Sequence, residues 1–112
     1  MPEDVGKGGV TALMYAAAEG NIEQVRELLA ESDESVDQQD DRGGTSLMYA
    51  SINGHQGIVR LILDSDANPR VVTKSGRTAQ WLAKKQGFDE IVRMLNRSQT
   101  FRELRVPFVY RK

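Results

Sequence analysis

The chain of 112 residues contains no cysteine, so disulfides and thiol catalysis are both excluded. It has one histidine, His55, which reads as a structural residue and not a general base, and no persuasive Ser-His-acid constellation is found. No apolar run approaches the roughly 18 residues that a membrane span needs, so no membrane partner is expected. The opening MPEDVGKGG lacks both the basic start and the apolar stretch of a secretory signal. The expected location is therefore the cytoplasm, with the nucleus as the alternative. The Asn96-Arg97-Ser98 sequon carries little weight in that setting.

Nucleotide and metal motifs are absent as well. The GKGG beginning at Gly6 has its lysine in the wrong order for a phosphate-binding loop. The acidic stretch of Asp33, Glu34, Asp37, Asp40 and Asp41 resembles a calcium loop in composition only. It lacks the Asp-x-Asp/Asn order and the closing glutamate, and it reads as a solvated loop. No catalytic residue, cofactor or metal is therefore expected. Net charge is −1, but unevenly spread. Residues 1–41 hold eleven acids against Lys7 and Arg26, whereas residues 42–96 and 97–112 each carry a net +4. Such asymmetry steers charged partners. Nucleic acid is not expected, since the bases are interrupted by apolar residues and the pI is 5.8.

What the chain does have is a repeat. TALMYAAAEG begins at Thr11, TSLMYASING at Thr45 and TAQWLAKKQG at Thr78, at spacings of 34 and 33. Behind the glycines follow NIEQVRELL, HQGIVRLIL and FDEIVRMLN. Each copy predicts a helix, a tight turn, a second helix and a loop. Thr11, Thr45 and Thr78 are placed to cap the first helices. On a helical wheel of about 100° per residue, Leu13, Ala16 and Ala17 share an inward face, while Tyr15, Ala18 and Glu19 point away. Copy two repeats this with Leu47, Ala50 and Ser51 inward and Tyr49, Ile52 and Asn53 outward. Ile22, Val25, Leu28 and Leu29, then Ile58, Val59, Ile62 and Leu63, then Ile91, Val92 and Leu95 form the apolar faces of the second helices. One such pair cannot bury both its faces, and stacking on a neighbour completes the core.

The shared pattern G-x-T-x-L-x-x-A-x-x-x-G-x-x-x-(I/V)-V-x-x-L-L resembles the ankyrin repeat. This chain has Thr-Ala-Leu-Met, Thr-Ser-Leu-Met and Thr-Ala-Gln-Trp where that family commonly has Thr-Pro-Leu-His. DSDANPRVV from Asp64 is similar to the family's Gly-Ala-Asp-Val-Asn loop, and ESDESVD from Glu31 is the same loop with one residue inserted. The resemblance implies an all-α solenoid of three stacked helix-turn-helix units with hairpin-like loops and a C-terminal capping tail. The expected organisation is a lead of 1–5, repeats spanning 6–97 (6–39, 40–72 and 73–97) and a tail of 98–112.

In the third copy Gln80 replaces the leucine of Leu13 and Leu47, and Asn96 replaces that of Leu29 and Leu63. Polar residues at faces that meet the next repeat are expected where a stack ends. The tail, SQTFRELRVPFVYRK, is too apolar for a disordered end. Ser98 or Thr100 can cap one more short helix that Pro107 breaks, with Phe101 and Leu104 folding back on copy three. Alternatively Val106–Tyr110 adds as an edge strand to another protein. Arg105-Val106-Pro107-Phe108 also resembles a phosphatase-docking motif that disfavours proline at its third place.

With no chemistry in sight, function falls to a surface. The resemblance implies an adaptor or scaffold binding another protein or peptide through the concave face of first helices and loop tips, and a monomer is expected. On this chain those positions are Tyr15, Glu19, Asp41, Arg42, Tyr49, Ile52, Asn53, Lys74, Arg77, Trp81 and Lys85. Trp81 takes the place of Met14 and Met48 at the edge of that face, partly in the core. The expected partner is a segment with an apolar or aromatic anchor, flanked by acids near repeat three. The alternatives are that the repeats mount a docking tail, or that they orient other domains of a larger protein.

Overall fold

The computed structural model describes residues 6–31 and 35–109, with side-chain surroundings for 6–31 and 35–99. Six α-helices follow in pairs: α1 (Ala12–Glu19) with α2 (Ile22–Glu31), α3 (Ser46–Ile52) with α4 (Gln56–Asp64), and α5 (Ala79–Gln86) with α6 (Asp89–Val109). The described residues contain no strand. Helices α1, α3 and α5 pack side by side in one row, α2, α4 and α6 form a second row behind them, and each pair also packs on itself. The architecture is an all-α helical repeat.

The first helices start where a threonine stops the extended chain. The hydroxyls of Thr11, Thr45 and Thr78 accept from the N–H groups of Met14, Met48 and Trp81 at 3.1, 3.3 and 3.1 Å. Each hydroxyl supplies an acceptor for one of the N-terminal N–H groups that have no partner within the helix. The first and third of these helices end at Gly20 and Gly87, which hold φ of 83° in the left-handed region.

Gly20 and Gly54 serve a second purpose, which is to let the next repeat approach. A Cβ on Gly20 would lie 2.7 Å from Cε1 of His55, and one on Gly54 would lie 2.8 Å from Cζ of Phe88. His55 and Phe88 open α4 and α6 at the same register, so each seats itself against the turn of the repeat before it. His55 adds a 3.1 Å contact from Nε2 to the Ala18 carbonyl.

The core runs continuously through the stack. Leu47, Ala50, Ser51, Ile58, Val59 and Ile62 are each 2 % exposed or less. Ser51 is accommodated because its hydroxyl donates to the Leu47 carbonyl at 2.7 Å. Met14 and Met48 are buried too, although the wheel leaves them off the inward face. Helix α1 packs on α2 and α3, and α3 packs on α1, α4 and α5, so the apolar face of each is broader than one partner requires. At the far end of the stack Trp81, at the same position, is 39 % exposed. Gln80 is half-buried and Asn96 exposed, whereas Leu47 is buried and Leu63 half-buried.

The C-terminal segment differs from expectation. Helix α6 runs unbroken from Asp89 to Val109, so residues 98–109 continue it and do not start another helix or form an edge strand. No glycine or proline interrupts the chain between Leu95 and Val106, and Arg, Gln, Glu and Leu favour helix. Pro107 stands only two residues before the helix ends. The expected contacts of Phe101 and Leu104, and the docking motif at 105–108, concern side chains outside the described residues, as does Tyr110.

Candidate protein-binding face

Ahead of each first helix the chain makes a tight hairpin-like finger. Finger one closes through Gly6 N–H to the Val10 carbonyl at 2.6 Å, finger two through Asp40 to Gly44 at 2.8 Å, and finger three through Thr73 to Arg77 at 2.8 Å. The fingers are tied to one another. The Asp41 N–H donates to the Gly8 carbonyl at 2.8 Å, and the Lys74 N–H donates to the Arg42 carbonyl at 3.0 Å. The Gln39 side-chain amide spans the second gap, donating to the carbonyls of Gly43 and Val72.

The acidic stretch is therefore not simply a solvated loop. The Asp37 carboxylate accepts from the Asn68 N–H at 2.9 Å, joining the loops of successive repeats. Asp40, only 9 % exposed, accepts from the N–H groups of Arg42 and Gly44 at 2.9 and 2.8 Å, and from the Tyr49 hydroxyl at 2.5 Å. An aspartate that bonds N–H groups two and four residues ahead is a local turn-former. Burial alone would raise the Asp40 carboxyl, but the Tyr49 hydroxyl, the two N–H groups and the Arg42 charge outweigh it and hold the pKa below its usual value. The Tyr49 phenol is pushed up to about 12, first by burial and then by its bond to Asp40 and the charge there. In finger three Thr73 does the work of Asp40, its hydroxyl accepting from the Arg77 N–H at 3.0 Å.

Between fingers two and three lies an open groove of about 310 Å³. Its floor is apolar: Met48, Tyr49 and Ile52 from α3, and Leu82 from α5. Asp40, Arg42 and Gly44 form one wall, and Thr73, Ser75 and Arg77 the other. Ile52 is half-buried yet is not among the side chains packed on the core. Past the groove, the Arg77 guanidinium carbon lies 4.0 Å from the centroid of the Trp81 ring, and the Lys85 ammonium lies 5.7 Å from the same centroid.

Of the positions named from sequence, Arg42, Tyr49, Ile52 and Arg77 meet in this groove, and Trp81 and Lys85 adjoin it through Arg77. Glu19, Asp41, Asn53 and Lys74 are exposed but do not line it, and Tyr15 is half-buried in α1. The Asn53 side chain instead donates to the Tyr49 carbonyl at 2.9 Å. Sequence reasoning missed Asp40 and Leu82 as members of the site. Both left a signal: Asp40 precedes a Gly-Gly-Thr turn, and Leu82 continues the register of Tyr15 and Tyr49.

Comparison with known proteins places this geometry in a family. The model for ankyrin repeats (3 copies) matches residues 2–73, and the chain belongs to the ankyrin repeat family. It is 35 % identical over 86 residues to the human (Homo sapiens) NAD-capped RNA hydrolase NUDT12, a match covering 77 % of this chain and 19 % of that protein. It is 37 % identical over 93 residues to the ankyrin repeat protein YahD of Escherichia coli (strain K12), covering 79 % of this chain and 46 % of YahD. Against the human DNA-binding protein RFXANK the identity is 37 % over 71 residues, covering 63 % of this chain and 27 % of the relative. The chain thus spans less than half the length of each of these relatives. Ankyrin repeats generally mediate protein–protein interaction and are typically non-catalytic. Among the described residues, no helix is long and apolar enough to cross a membrane.

Proposed function

We infer that the chain is a non-catalytic interaction module, an adaptor or scaffold, that takes a partner protein or peptide segment into the groove between fingers two and three. The observation that carries this reading is Ile52: an apolar side chain in an open groove, between two rigid fingers, with no part in the core. Apolar and aromatic anchors seated in preformed pockets supply most of the energy of an interface. Tyr49 is held in place by its bond to Asp40, so little side-chain freedom is lost when a partner docks.

The test compares the full chain with Ile52→Glu as bait in a lysate, read by mass spectrometry. The expected result is a partner lost with Ile52→Glu while helix content by circular dichroism is unchanged. A partner kept by Ile52→Glu but lost on truncation at residue 97 would move recognition to the end of α6. A second reading, that the repeats orient other domains of a longer protein, is favoured by the 19 to 46 % share of the relatives that the chain spans. The same groove would then dock a segment of that protein, and the Ile52→Glu bait would capture it no better.

A further inference from the structure

Resting on that reading of the groove, we propose that Arg77 and Lys85, set on the Trp81 ring, form a carboxylate receptor, so that the partner is an acidic linear segment whose apolar anchor enters the groove and whose Asp or Glu side chains bind this pair. Arg77 joins the two parts, lining the groove and lying over Trp81. With its carbon 4.0 Å from the ring centroid, the Arg77 guanidinium lies within cation–π range, and its planar fork of N–H donors suits a bidentate carboxylate. The ring contact also favours one placement of the side chain before any ligand arrives, which removes part of the entropy cost of binding.

The electrostatics point the same way. Arg77 and Lys85 bring two positive charges to a single ring. The ring's face attracts each of them, but they repel one another. Ion pairs among the described residues join Arg26 to Glu23 and both Arg93 and Arg97 to Glu90, and none reaches Arg77 or Lys85. Across the groove, Asp40 spends its acceptor capacity on Tyr49 and the N–H groups of its own finger. An incoming carboxylate relieves the repulsion that no ion pair among the described residues relieves. Nucleic acid fits less well: the bases border an apolar groove, and the first 41 residues carry a net −9 that repels a polyanion.

A displayed library of random 12-residue peptides selected on the full chain tests this. The proposal expects an apolar anchor with Asp or Glu enriched near it, and the enrichment in acids, but not the anchor, lost on Arg77→Gln/Lys85→Gln. Both side chains are exposed, so the double variant keeps its fold, which circular dichroism checks. For one selected peptide, Arg77→Gln weakens binding roughly five- to tenfold, and the Asn/Gln version of that peptide binds both proteins alike. Anchor selection without acids overturns the carboxylate receptor and leaves the groove standing. Failure to select any peptide that Ile52→Glu rejects overturns both. Equal binding of a single-stranded oligonucleotide through Arg77, or self-association through this face in place of peptide binding, also overturns the proposal.

Discussion

Asp40 and Tyr49 set the local shape of the binding face. Because Asp40 is held below its usual pKa, its ionised form stabilises the fold. That contribution is complete above the ordinary aspartate range near pH 4 and is lost as pH falls through the lower folded value. Tyr49 has the opposite sign. Its phenol is raised to about 12, so its contribution is complete below roughly pH 10 and is lost as pH climbs toward 12. Tyr49→Phe should lower stability by about 1 kcal/mol and flatten the alkaline limb of a thermal-melt pH series; an unchanged limb would show that the bond carries no weight. At Gly54, φ is 78° and a Cβ would lie 2.8 Å from Phe88. Gly54→Ala combines left-handed strain with that clash and should cost about 2 kcal/mol in urea unfolding.

At the scale of elements, six helices in three pairs could be read from the threonine caps, the glycine turns and the apolar periodicity, because each of these is a local signal. The length of α6 was harder to see: Ser98 and Thr100 look like caps, but a helix already running has no reason to stop at them. Burial of Met14 and Met48 was also hidden, since it depends on the packing of the neighbouring repeat and not on the helix itself. The groove was legible only in part. Tyr49 and Ile52 follow from the wheel, whereas Asp40 looked like one acid among several until its turn was seen. The polar third copy yields a prediction here. Gln80→Leu should leave helix content unchanged while raising self-association in light scattering, because Gln80 is half-buried at the far side of the stack. Loss of helix would contradict its reading as an end residue.

For the whole molecule, a stack in which each repeat rests on the next makes the binding face a property of at least two repeats: fingers two and three with helices α3 and α5. Damage to either repeat should remove binding, which separates this account from one in which a single loop is the recognition element. The acidic beginning and basic remainder orient an approaching acidic partner toward repeats two and three before contact. The most direct measurement places a photo-crosslinking amino acid at position 52, in the groove, and at position 60, on the exposed side of α4, in otherwise unchanged full chains. The account predicts one protein adduct that forms from position 52 and not from position 60. An adduct from position 60 alone would put the interface on the second row of helices and contradict it.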